Sequence, residues 1–327
     1  MSVVSPGPHG GDGRLVAAAL GLDPEDLLDL SLSLNPFAPD PTPIVRRHLG
    51  AAVIGRYPDR IDLDAATAEL AAVLEVDEER VLLTNGGAEA IALVATELGW
   101  GWVEEPDFSL YLRHIAVRDH TGPSFRSDPH NPTGRLARES ERAAVWDEAF
   151  YPLASGRWGA PNRGSSIVLG SLTKLLACPG LRIGYVVIPD DDGASLGVAG
   201  LRERLARRQP AWSVGALALA VIPELLATVE LARWARDIAQ ARSELVGVLE
   251  VHGLAPLRSD ANFVLVPGVP GLRDVLAREG VVVRDCASFG LVDHVRIAVP
   301  GPERLGRLDD ALARSAAVIG DARRVSG

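Results

Sequence analysis

Short apolar runs alternate with longer mixed stretches along most of this chain, the pattern of an α/β fold. VLLT (81–84) predicts a strand, followed by the turn NGG and a helix over AEAIALVATEL. IVLGS (167–171) and IGYVVIP (183–189) predict two more strands. RAAVWDEAF (142–150) reads as a short strand with an acidic end or as a helix. Past residue 202 the pattern changes. One long, largely buried helix is expected over roughly 214–252, with a start or kink at Pro223. NFVLVP (262–267), VVVRDC (281–286) and HVRIAV (294–299) then predict strands. Leu305, Leu308 and Leu312 recur at helical spacing and predict an amphipathic helix near the end of the chain. The expected organisation is an N-terminal arm (1–35), a large domain (36–219) and a small α+β domain with an interdomain helix (220–327). The arm is expected to pack with the small domain and the substrate pocket.

Composition narrows the function classes. A chain of 327 residues with 47% hydrophobic and 23% charged positions can bury a sizeable core. A net charge of −10 argues against nucleic acid as a partner, since phosphate binding needs a basic surface. Cys178 and Cys286 lack CxxC spacing and are read as reduced residues of a cytoplasmic protein, with no metal site. The first residues show no basic stretch followed by an apolar run, so no signal peptide is read there. Pro223, Glu224 and Glu230 interrupt the most apolar stretch (212–235), which suits a buried helix rather than a membrane span.

Several short segments could carry chemistry. In TNGGAEAI (84–91), Gly86 and Gly87 would let a ligand approach the N–H groups at a helix start. An ordinary strand-to-helix turn explains the same residues. In PDFSLY (106–111), Phe108 and Tyr111 suit either a core or a stacking surface. HNPTG (130–134) is a turn that could aim the Asn131 amide at a ligand. Asp147 and Glu148 follow apolar residues and could be a solvated pair. Arg284 and Arg296 interrupt apolar strand patterns; such arginines end strands, or point into clefts and bind carboxylates. GSLTKLLACPGLRIGY (170–185) sets Lys174 and Arg182 among apolar neighbours.

The order of these segments, and SLTK…PGLRIGY with HNPTG in particular, resembles the pyridoxal-phosphate-dependent aminotransferase family with the aspartate-aminotransferase fold. The resemblance covers nearly the whole chain. It implies a fold type I enzyme whose large domain has a mostly parallel central sheet. Lys174 would bond covalently to the pyridoxal 5'-phosphate aldehyde and carry a proton at the substrate alpha carbon. Asp147 would face the ring nitrogen, Phe108 would stack on the ring and Asn131 would meet its hydroxyl oxygen. Gly86, Gly87, Ala88, Ser171 and Arg182 would hold the phosphate, with Tyr57 reaching it from the neighbouring subunit of a homodimer. Arg296 would clamp the substrate carboxylate. His9 in HGGDG, Asn35 in SLNPFAPD and Arg284 would line the substrate pocket, and Phe150 stands where many members have tyrosine.

The likeness is greatest to the threonine-phosphate decarboxylases, with the neighbouring histidinol-phosphate aminotransferases as the alternative. A small, phosphorylated amino acid or amine is the expected substrate. A specialised-metabolism enzyme, or a trimmed relative with a binding role, is a further alternative. The stretch 112–130 is short and polar, so the central sheet is expected to lack a strand or reorganise there.

Overall fold

The computed structural model describes residues 4–7, 9–161 and 163–326. Two sheets organise them. The larger has seven strands in the order β2 (Val81–Asn85), β8 (Ile183–Val187), β7 (Ile167–Ser171), β6 (Val145–Asp147), β5 (Ser124–Ser127), β3 (Trp100–Val103) and β4 (Val117–Arg118). All pairings are parallel except those of β8 with β2 and β7. The architecture is therefore α/β with a mostly parallel central sheet.

A mostly parallel sheet has to be covered on both faces, and strand alternation supplies two apolar surfaces. Leu82, Val186 and Leu169 pack with Ile91 and Val94 of the helix Gly86–Leu98. Val81, Leu83, Tyr185 and Val168 face the other way, against Leu70 of the helix Arg60–Leu74 and Ile222 of the helix Ala216–Leu226. Because β5, β6 and β7 run parallel, their ends Ser127, Asp147 and Ser171 share one edge of the sheet. Antiparallel β8 starts at that edge, directly after Arg182.

The stretch where the sheet was expected to lack a strand or reorganise contributes β4 and β5. Only Phe125 of SFRS is a buried apolar residue, at 2% exposure, while Ser124 and Arg126 are less deeply buried. A strand with one apolar position gives almost no periodic signal; its backbone pairing to β3 and β6 defines it.

The single helix expected over 214–252 is two helices, Ala216–Leu226 and Leu231–Val251. Pro223 lies inside the first helix, which runs past it to Leu226, and the Ala227 N–H still donates to the Pro223 carbonyl. The Thr228 hydroxyl then donates to the Leu225 carbonyl at 2.7 Å, and the Thr228 and Val229 N–H groups make tight three-residue turns that end the first helix. The second helix serves both cores. Leu231, Trp234 and Ile238 pack under the large sheet, whereas Ala241, Leu245 and Leu249 pack under the small one.

The small sheet has the order β1 (Leu28–Leu30), β10 (Val281–Asp285), β11 (Val295–Ala298) and β9 (Phe263–Val266). β1 belongs to the N-terminal segment and pairs parallel to β10, with Leu28 opposite Val281. β10 and β11 are antiparallel and place Arg284 directly opposite Arg296.

Candidate active site

The edge where β5, β6 and β7 end is crowded, and glycines make the crowding possible. Gly86 has φ 72°, and a Cβ there would run into the Arg182 guanidinium. A Cβ on Gly184 would strike the backbone of Gly86 and Gly87. The start of the helix Gly86–Leu98, β8 and Arg182 can therefore share one corner. Arg182 itself has φ 55°, the left-handed region, at the turn into β8. The Ser171 and Thr173 hydroxyls lie 2.7 Å apart at the same corner. Together these groups make a corner whose chemistry suits an anion: backbone N–H groups at a helix start, a hydroxyl and a guanidinium.

This corner opens into a cavity of about 300 Å³. Gly87, Ala88, Ser171 and Arg182 line one end, while Phe108, Asn131, Asp147, Phe150 and Lys174 line the middle. His9, Arg284 and Arg296 line the side made by the N-terminal segment and the small sheet. Asp147 is the one carboxylate in the lining among the described residues.

The electrostatics follow from burial among cations. The half-buried Lys174 amine donates to the Leu32 carbonyl at 3.0 Å. Desolvation first, then Arg296, Arg182 and Arg284, push its pKa down from 10.5 to about 8. Burial pushes Asp147 up to about 6, and Asp107 adds to the rise. Hydrogen bonds from the Ala149 N–H (3.0 Å) and the Tyr111 hydroxyl (2.9 Å) work against that rise. Arg296 is 6% exposed and donates to Asn131 Oδ1 at 2.5 Å. Its guanidinium carbon lies 4.4 Å from the centre of the Phe263 ring. Asn131 is held in turn, since its N–H donates to Ser127 Oγ, which donates to the buried Asp107. The His9 ring stands edge-on to Phe108 at 5.7 Å. Burial, Arg284 and Arg113 lower its pKa and favour the neutral ring.

Three expected residues lie outside the lining. Gly86 sits beneath the corner, against Arg182. Tyr57 is 72% exposed and stacks on Trp212 at 4.4 Å. Asn35, expected in the substrate pocket, is 3% exposed and braces the lysine turn instead. Its N–H donates to the Lys174 carbonyl, its Nδ2 to the Leu175 carbonyl, and its Oδ1 accepts the Phe37 N–H. These bonds occupy the side chain on both sides, so it serves the backbone. The sequence reading missed Tyr111 as the partner of Asp147, and Asp107 and Ser127 as the support of Asn131. Tyr111 was visible three residues after Phe108, but nothing in the sequence marks the other two.

The sequence profile of the family "Aminotransferase class I and II" matches residues 127–312, more than half of the chain. The chain belongs to that family. As an aminotransferase it resembles the histidinol-phosphate aminotransferase of Halorubrum lacusprofundi, 29% identical over 91% of this chain and 92% of that one. Its fold resembles histidinol-phosphate aminotransferase from Sinorhizobium meliloti in complex with pyridoxal-5'-phosphate, with a TM-score of 0.73, 17% identity and 94% of each chain covered. It also resembles L-threonine-O-3-phosphate decarboxylase from Porphyromonas gingivalis, with a TM-score of 0.72, 21% identity, and 88% and 99% of the chains covered.

The family's cofactor is pyridoxal 5'-phosphate, and the donor set of the cavity fits it. The corner of Gly87, Ala88, Ser171 and Arg182 suits a phosphate dianion. A buried carboxylate whose charge is disfavoured by burial suits a protonated ring nitrogen, because that partner restores its charge. When bound, the cofactor supplies an electron sink for charge left at the substrate alpha carbon. Lys174, with its lowered pKa, can act as nucleophile and then hold or return a proton at that carbon.

Proposed function

We propose that this aminotransferase transfers the amino group of a phosphorylated amino substrate of the histidinol-phosphate type to a 2-oxoacid. One observation carries the reading. Arg284 and Arg296 lie opposite each other on β10 and β11, are both buried, and line the same cavity. Beyond the corner for the cofactor phosphate, the cavity thus presents two permanent cations and the neutral-leaning His9. Such a wall suits anions on two substrates in turn: a phosphate on the amino donor and carboxylates on the acceptor. The curated relative named above supports this reading over decarboxylation of threonine phosphate.

The decarboxylase reading keeps one structural argument. Phe150 lines the cavity and packs on Phe263 at 5.2 Å, so no hydroxyl stands at that position. The two reactions differ in which bond at the alpha carbon is broken. The purified enzyme, loaded with pyridoxal 5'-phosphate, is to be given histidinol phosphate with 2-oxoglutarate, and separately threonine phosphate. Glutamate formed in the first assay and no CO₂ in the second is the expected result. CO₂ from threonine phosphate without glutamate in the first assay would overturn it.

The same proposal includes a homodimer. Tyr57, with Ile54 at 70% and Ile61 at 80% exposure, presents apolar surface to solvent beside Trp212. Trp212 adjoins Ser213, whose carbonyl accepts from Asn85 Nδ2 just before the helix start of the phosphate corner. A second copy would cover this surface and bring its Tyr57 to that corner.

A further inference from the structure

β6 ends on Asp147 and Glu148 follows it directly, and of the two only Asp147 lines the cavity. Glu148 points the opposite way and is 2% exposed. Its partner is Arg163, from the Gly-rich connection between the helix Tyr151–Ser155 and β7. Arg163 Nε donates to Glu148 Oε1 at 2.9 Å, and its Nη2 donates to Asp128 Oδ2 at 2.6 Å. The guanidinium carbon sits over the Trp146 ring, 3.7 Å from its centre. Backbone groups hold the far side of each carboxylate: the Ala160 N–H on Glu148 and the Ala137 N–H on Asp128.

Asp128 leads back to the site. Its N–H donates to the Asp147 carbonyl at 2.8 Å, and it opens the turn 128–134 that presents Asn131. One guanidinium therefore joins the ends of β5 and β6, the strands from which Asn131 and Asp147 reach the cavity. Two buried carboxylates without a cation between them would repel each other. Burial and the Asp128 charge both push Glu148 up, to about 7, and Arg163 opposes both. A planar fork with fixed donor directions also sets the distance between its two carboxylate partners, which a lysine ammonium does not.

We propose that Arg163 is a positioning residue that holds Asp147 and Asn131 at the spacing required by the cofactor ring, without itself touching the cofactor. The proposal rests on the cofactor-binding reading of the cavity. Its test starts with wild-type protein, whose uptake of pyridoxal 5'-phosphate is followed by visible absorbance. Two variants are then compared. Arg163→Lys keeps the charge and loses the fork. The triple variant Arg163→Met, Asp128→Asn, Glu148→Gln removes every charge from the cluster.

Arg163→Lys is expected to weaken cofactor binding about tenfold and shift the pH midpoint of the bound cofactor's absorbance, with far-UV circular dichroism unchanged. The triple variant is expected to keep its thermal stability without recovering wild-type affinity or midpoint. Wild-type affinity and midpoint in Arg163→Lys, or their recovery in the triple variant, would overturn the proposal, because charge balance alone would then explain the cluster. Wild-type protein that takes up no cofactor sinks the cofactor reading and this proposal with it. Normal wild-type loading with unaffected variants sinks this proposal alone.

Discussion

At the scale of single residues, the burial of Lys174 gives its amine the protonation behaviour that the proposed role needs. Apolar neighbours bury the amine, three arginines raise the cost of its charge, and its pKa falls to about 8. At pH 7 about one amine in ten is then neutral, against a few in ten thousand for an unshifted lysine. The sign follows directly: the lowered pKa favours the neutral nucleophile, which is present above about pH 8 and lost as pH falls through it. The rate at which apoenzyme captures pyridoxal 5'-phosphate is expected to rise about tenfold per pH unit and level off near pH 8. Stopped-flow absorbance measures it, and a rise continuing to about pH 10.5 would contradict the buried, cation-flanked setting. Lys174→Ala should abolish covalent capture while leaving the phosphate corner intact.

At the scale of elements, two glycines are expected to respond to the same substitution with opposite signs. Gly86 starts its helix at φ 72°, with the Arg182 guanidinium where a Cβ would go. Gly86→Ala should cost about 1–2 kcal/mol in folding stability and weaken cofactor binding by displacing Arg182. Gly247, within the helix Leu231–Val251, has no atom within 4 Å of its ideal Cβ. Gly247→Ala should add roughly 0.5–1 kcal/mol. Denaturant unfolding of the two apo variants checks both signs. Strand legibility follows a similar local logic. Strands buried on both faces, such as IVLGS and IGYVV, are continuous apolar runs and could be read directly. SFRS could not, because its register is set by neighbours on β3 and β6. The broken helix at 227–230 was hidden for a related reason: apolar content continues through the break, while the Thr228 hydroxyl, bonded to the Leu225 carbonyl, helps to end the first helix.

At the scale of the whole molecule, the proposed dimer gives the last prediction. Sedimentation should find a particle of twice 34.6 kDa. Tyr57→Ala should weaken cofactor binding although Tyr57 lies outside its own chain's cavity. A monomer with wild-type affinity in that variant would remove the shared site.

What the sequence determined by itself is the chemical inventory and its local settings. Lys174, Arg182 and the Gly86–Gly87 turn each sit at a strand end, and that placement depends on residues a few positions away; for Asp147 the sequence left a strand or a helix open, and β6 decided it. Tertiary structure alone decided which of them meet. Arg284 faces Arg296 because β10 and β11 pair in one register; a one-residue slip would send one of them to the other face. Asn35 turned from the pocket to the lysine turn, 140 residues further along the chain. Arg163 reaches Asp128 across 35 residues and Glu148 across 15. Order along the chain carries no distance between such partners; packing two sheets against shared helices does.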